Sequence, residues 1–191
     1  DGLAKFIADR NGKHHRFRRG YKNVINESLR LNANGEESWL AIETSGHAAL
    51  RENYFLDDGA YLVAKLIVEA ACLRKEGKEL QDLIADLQQP VESKEIRFKI
   101  DTDDFKAYGE QVLEHIKAAA QKESDWQLVS PNYEGVRVAC MGEKEQGWFL
   151  LRQSLHDPVL PLNIESNVEG GVSRITDRDL ALLADFKALK Q

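Results

Sequence analysis

The side chains best suited to chemistry fall in Glu43-Thr44-Ser45-Gly46-His47, a run that continues through Arg51-Glu52-Asn53 to Asp57-Asp58-Gly59. Glu43 and Ser45 are two apart, so in an extended segment both side chains point the same way. A carboxylate only accepts hydrogen bonds while a serine hydroxyl both gives and accepts, and together they suit vicinal sugar hydroxyls. Gly46 lets the backbone turn or a ligand come close. The same residues also fit a capped loop whose polar groups satisfy backbone donors. A nucleophilic serine fits less well, because Ile42 and Glu43 stand where the first glycine of a G-x-S-x-G elbow would fall.

A second group is Arg152-Gln153-Ser154-Leu155-His156-Asp157-Pro158. Arg152 offers a planar fork for phosphate or carboxylate. Ser154, His156 and backbone N–H groups can complete an anion cradle. A contact to a charged phosphate contributes roughly 1.5–3 kcal/mol and a neutral hydroxyl contact about 0.5–1.5. If both groups serve one ligand, this one supplies more affinity per contact and the Glu43 group more selectivity. A surface hairpin with Arg152 paired to Asp157 is the plain alternative. No metal site is expected. Asp58 reads as the cap of a following helix rather than as a ligand beside Asp57 and His47. His14 and His15 face opposite sides of a strand and read as solvated or partner-facing, and His115 sits in a polar helical stretch.

Positioning these groups requires a framework. Residues 3–10 suggest a short helix ended by Asn11-Gly12. Residues 13–19 suggest a strand, and 22–31 a helix with Val24, Ile25 and Leu29 on one face. Asn34-Gly35 turns the chain into a buried strand over 39–42. From Gly59 or Ala60 a long helix carries Leu62, Val63, Leu66, Ile67, Ala70 and Ala71 at helical spacing, closed by Gly77. A shorter helix holds Leu80, Leu83, Ile84 and Leu87. Helix and strand alternation predicts a parallel α/β sheet, with the polar run at a strand end where such sheets place ligands. Two strands make a thin sheet, so a further strand is expected.

Gln88-Gln89-Pro90 marks a boundary. Beyond it Ile96, Phe98 and Ile100 alternate as a half-buried strand. Thr102-Asp103-Asp104 can cap a helix with Phe105, Tyr108, Val112, Ile116 and Ala119 inward. Strands are expected over 126–129, 136–140, 148–152 and 159–165. Thr176-Asp177-Arg178-Asp179 resembles a capping box opening a last helix with Leu180, Leu183, Phe186 and Leu189 inward. This order predicts an α+β domain with helices on one face of an antiparallel sheet.

With 26 Lys and Arg against 32 Asp and Glu, the net charge is −6, which argues against a nucleic-acid partner. The basic run His14-His15-Arg16-Phe17-Arg18-Arg19 is too local to reverse this. No run reaches the roughly 18 apolar residues of a membrane helix, and no signal peptide opens the chain. Cys72 and Cys140 sit in apolar segments and read as buried thiols of a reducing cytoplasm. Asp1-Gly2-Leu3 enters an apolar helix pattern without a methionine, as expected of a piece of a longer chain.

Taken together, the two polar groups resemble the C-terminal half of the α-D-phosphohexomutases, which include phosphoglucomutases and phosphomannomutases. The family's sugar loop reads G-E-x-S-G-H; Glu43, Ser45, Gly46 and His47 match it and Ile42 replaces the leading glycine. Phe55-Leu56-Asp57-Asp58-Gly59-Ala60-Tyr61 is similar to its continuation into a helix. The family's phosphate loop often reads R-x-S-x-T-x-P; Arg152, Ser154 and Pro158 match, with His156 in the threonine position. Gly20-Tyr21-Lys22 resembles a segment where many members have Gly-His.

The resemblance implies that residues 1–90 form the third of four domains, a sugar-binding α/β three-layer domain incomplete at its N-terminus. Residues 91–191 form the fourth, a phosphate-binding α+β domain of TATA-binding-protein-like fold with an antiparallel sheet. It implies an isomerase moving phosphate between the 1- and 6-positions of a hexose through a bisphosphorylated sugar, with hexose 1,6-bisphosphate as intermediate and activator. A phosphoserine and a Mg²⁺ held by an aspartate-rich loop belong to earlier domains, and neither motif occurs in this sequence. Hence Glu43, Ser45, Gly46 and His47 are expected to bind the sugar, and Arg152, Ser154 and His156 the phosphate. Tyr21 and Lys22 are expected to line the cleft. No catalytic residue is expected here, and the chain alone is expected to be inactive without the earlier domains. The alternatives are a stand-alone carbohydrate- or anion-binding module and a small hydrolase using Ser45 and His47.

Overall fold

The computed structural model describes residues 2–154 and 157–191, and the chain divides into two compact units, residues 1–88 and 89–191.

In the first unit, helices α1 (Gly2–Ala8) and α2 (Tyr21–Ala33) precede two short strands, β1 (Leu40–Ile42) and β2 (Ala48–Leu50). The long helix α3 (Gly59–Lys75) follows. The strands pair antiparallel, with Leu40 opposite Leu50, Ala41 opposite Ala49 and Ile42 opposite Ala48. This is a hairpin, so the parallel sheet expected from the alternation of elements is corrected. Five residues separate the strands, too few for the crossover that a parallel pair needs. The strand expected over 13–19 is absent as well. That segment is held to α2 and to the turn after it by polar contacts: His15 Nε2 lies 2.9 Å from Glu27 Oε1, and Lys13 Nζ lies 2.9 Å from Glu36 Oε2.

Ala41, Ala49 and Phe55 form the small core of this unit, with Val24 and Ile25 of α2 against them. Alanines on both strands let the helix approach the hairpin closely. Helix α3 departs from expectation: Val63, Leu66, Ile67 and Val68 are exposed and Leu73 is its buried residue. Two three-residue strands offer too little surface to cover an apolar face of that length. Cys72 is therefore exposed, against the expected burial, whereas Cys140 is buried. The helix expected over residues 80–87 is reduced to a 3₁₀ turn, Leu80–Ile84.

The second unit contains β3 (Glu92–Ile100), α4 (Phe105–Ala120), β4 (Trp126–Leu128), β5 (Val136–Cys140), β6 (Gly147–Leu151), β7 (Val159–Ser166), α5 (Gly171–Leu183) and β8 (Leu189–Lys190). The strands run β4-β5-β6-β7-β3-β8 in one sheet, antiparallel throughout. The period-two pattern is met in full: Ile96, Phe98 and Ile100 are buried between exposed neighbours. They join Phe149, Leu151, Leu160, Leu162 and Ile164, with Val112 and Ile116 of α4 and Ile175 of α5, in one core. Asp104 caps α4, its Oδ1 accepting from Ala107 N at 3.1 Å.

The start of α5 is corrected. It begins at Gly171, and Thr176 to Asp179 lie inside it rather than capping it. The Glu92 carboxylate accepts from Gly170 N (2.7 Å) and Val172 N (3.0 Å), so an acid from β3 serves the free amides at this helix start.

Candidate functional site

Residues 43–47 form the turn of the β1–β2 hairpin. Glu43 N donates to His47 O (2.9 Å) and Gly46 N to Glu43 O (3.0 Å). Gly46 has φ +92 and open space where a side chain would begin, so backbone geometry, not packing, selects glycine. Glu43 and Ser45 are thus neighbours through a turn and not along an extended strand, as first expected. Ser45 Oγ lies 3.4 Å from Glu43 Oε2, a long contact.

Glu43 reaches across to the start of α2, where its Oε1 accepts from Gly20 N at 2.6 Å. Gly20, at φ +111, precedes the helix and brings no side-chain cap of its own. The carboxylate therefore serves a free amide at the positive end of the helix dipole. The same contact brings Tyr21 over the turn: its ring stacks on His47 with centroids 5.3 Å apart and planes 26° from parallel. Lys22 Nζ lies 5.8 Å from the Tyr21 ring centre. Glu43, Ser45, Gly46, His47, Tyr21 and Lys22 are consequently gathered in one place within the first unit.

Of the two acids after the turn, Asp58 is the helix cap expected from the sequence, whereas Asp57 has a partner that the sequence does not indicate. Asp57 Oδ2 lies 2.7 Å from His47 Nδ1, and its backbone bridges to Ala49 of β2. The signal was present as an acid pair following His47, but only the hairpin decides which acid meets the imidazole. Asp58 takes the capping role, accepting from Tyr61 N at 3.0 Å. That backbone hydrogen bond is the main reason its carboxyl sits below the usual range.

In the second unit, Phe149 and Leu151 of β6 point into the core, so Trp148, Leu150 and the following Arg152 fall on the opposite face. This face is polar. Arg137 lies 3.6 Å over the Trp148 ring, Trp148 Nε1 donates to Glu165 (2.9 Å), and Glu95 accepts from Asn163 (2.7 Å) and pairs with Arg97. Arg152 Nη1 is 3.7 Å from Glu134 Oε1, and its side chain is 15% exposed. The ion pair is therefore with Glu134 and not with the Asp157 weighed from sequence.

Ser154 N donates to Val159 O (2.9 Å), and Ser154 Oγ accepts from Asp157 N (3.3 Å). Gln153 Nε2 donates to Phe105 O (3.1 Å), fastening the loop to the first turn of α4. Glu134 carries no local signal in the sequence, and Gln153 and Gly20 stand within the sequence motifs without a role of their own, since their partners are distant along the chain. His156, expected to join this loop, lies outside the described residues.

Comparison with known proteins finds likenesses to one family. A family model described as phosphoglucomutase/phosphomannomutase, alpha/beta/alpha domain III, matches residues 1–91. A phosphomannomutase/phosphoglucomutase of Pseudomonas putida is 32% identical over 73% of this chain and 27% of its own length. One from Pseudomonas syringae pv. tomato is 29% identical over 91% of this chain and 33% of its own. A phosphoglucomutase of Neisseria gonorrhoeae is 29% identical over 75% and 29%, respectively. The chain thus spans about a third or less of the curated relatives it matches. A solved phosphoglucomutase/phosphomannomutase family protein from Burkholderia thailandensis shares the fold at TM-score 0.70 and 24% identity, over 98% of this chain and 36% of that one.

Proposed function

This chain matches the phosphoglucomutase/phosphomannomutase family in its domain III region, and from that premise we propose that it is the substrate-binding, C-terminal part of a phosphohexomutase. In this reading residues 1–90 are the third, sugar-binding domain and 91–191 the fourth, phosphate-binding domain of TATA-binding-protein-like fold. The whole enzyme interconverts hexose 1-phosphate and hexose 6-phosphate, of glucose or mannose, through a bisphosphorylated sugar in the cytoplasm. Mg²⁺ and the phosphoserine act from other domains. Among the described residues no group of three or more His, Cys, Asp or Glu is placed to hold a metal ion. No helix among them is long and apolar enough to cross a membrane.

The observation that supports this reading best is the Glu43 anchor. By holding the hairpin turn against the start of α2, it aligns a carboxylate, a hydroxyl and an imidazole beside Tyr21. Glu43, Ser45 and His47 then grip ring hydroxyls. Arg152 and Ser154, with His156, hold the phosphate that is not reacting. Binding both groups positions the reacting end for chemistry carried by the other domains.

The test is titration of glucose 1-phosphate into the chain, with a coupled mutase assay alongside. The wild type is expected to bind and show no turnover, whereas the whole protein turns over. Arg152→Ala is expected to weaken binding about tenfold or more, as befits a charged contact. Glu43→Gln, which keeps an oxygen for Gly20 N–H, is expected to weaken it about two- to tenfold. Turnover by the chain alone, or a wild type that binds no sugar phosphate, sinks the assignment.

A further inference from the structure

The His47 imidazole is constrained on two sides. Its Nδ1 lies 2.7 Å from Asp57 Oδ2, and the Tyr21 ring stacks on its face at 5.3 Å. Asp57 is itself located by the backbone bridge to Ala49, a residue with no exposed surface, so the carboxylate is placed by the hairpin rather than by a mobile loop. Half of the His47 side chain (51%) is open, against 26% for Asp57.

An ionised carboxylate has no proton to give, so the neutral imidazole must carry its hydrogen on Nδ1. Nε2 is then left with a lone pair. We propose that Asp57 is a positioning residue that fixes His47 in the Nδ1–H form, with Tyr21 holding the ring plane, so that Nε2 accepts a hydrogen bond from a hexose hydroxyl. This rests on the sugar-binding reading of the turn and extends it. Glu43 and His47 become two acceptors that differ in charge, with Ser45 able to donate between them. Such a set selects ligands that present adjacent hydroxyl donors over ligands that present acceptors. Asp57 also divides the labour of the acid pair, since Asp58 is committed to the cap of α3.

The tautomer is read in the ligand-free chain by ¹⁵N-resolved imidazole NMR. Wild-type His47 is expected to show the Nδ1–H pattern. Asp57→Asn keeps the shape but lets its amide donate to Nδ1, so the ring is expected to move towards Nε2–H, as an aspartate-to-asparagine change beside a histidine does elsewhere. Glucose 1-phosphate affinity is expected to fall about two- to tenfold in the same variant. A wild-type ring already in the Nε2–H form overturns the proposal without needing any variant. So does an Asp57→Asn spectrum that leaves the tautomer unchanged, or a changed tautomer with unchanged affinity. If the wild type binds no sugar phosphate, the sugar-binding reading fails and the ligand half of the proposal with it. The tautomer comparison still decides the role of Asp57.

Discussion

At the scale of single residues, a charged group acquires its role from the partner that folding brings to it. Glu27, 7% exposed, takes two hydrogen bonds from Arg30 (2.7 and 2.8 Å) and contacts His15. The Arg30 bonds, against the opposing cost of burial and with help from His15, hold its carboxyl down at about 2, from an ordinary 4.5. A depressed carboxylate contributes stability that is complete above the unfolded value and lost as pH falls through the folded one. The first unit is therefore expected to lose stability between about pH 4.5 and pH 2. Glu27→Gln is expected to flatten that loss, as read by urea denaturation across the range. A slope unchanged by the substitution would show that other carboxylates set the acid limit.

At the scale of elements, α5 shows the opposite sign. Asp179 is 1% exposed inside this helix, and neither carboxylate oxygen has a hydrogen-bond partner among the described residues. Arg178, beside it in sequence, is engaged with Glu123, Asp125 and Glu145. Burial first, then the nearby Glu145, push the Asp179 carboxyl well above its ordinary 3.8. A raised acid leaves stability complete below the unfolded value and drains it as pH rises towards the folded one. The second unit is expected to weaken above about pH 4, at up to about 1.4 kcal/mol per pH unit. Asp179→Asn is expected to remove the slope and to be more stable than wild type at pH 8, measured by chemical denaturation at pH 4 and pH 8. The Thr176-Asp177-Arg178-Asp179 pattern looked like a helix start because a capping box is a local signature. Glu92, 80 residues before Val172, decided the start instead.

At the scale of the whole molecule, the two units differ in how much they bury. The second closes a six-stranded sheet over α4 and α5 with a continuous apolar core. The first rests on Ala41, Ala49 and Phe55 and leaves Val63, Ile67 and Val68 of α3 more than half exposed. Hydrophobic stabilisation scales with apolar area removed from water. Residues 89–191 expressed alone are accordingly expected to fold cooperatively, with a single melting transition by circular dichroism. In the whole chain the first unit is expected to melt first. A 89–191 segment without a cooperative transition would overturn this division of stability.

The sequence by itself determined what depends on near neighbours. Alternation of Ile96, Phe98 and Ile100 specified a half-buried strand, helical spacing in residues 105–119 specified the face of α4, and Glu43 to His47 marked the polar cluster. These follow from side-chain periods of about 2 and 3.6, which a chain carries wherever it folds. Only the tertiary structure decided that β1 and β2 form a hairpin and that Glu43 holds Gly20, 23 residues away. It alone decided that Asp57 meets His47, and that Arg152 turns to Glu134. Each of those contacts depends on register and on packing between segments distant in sequence, and no local period encodes either.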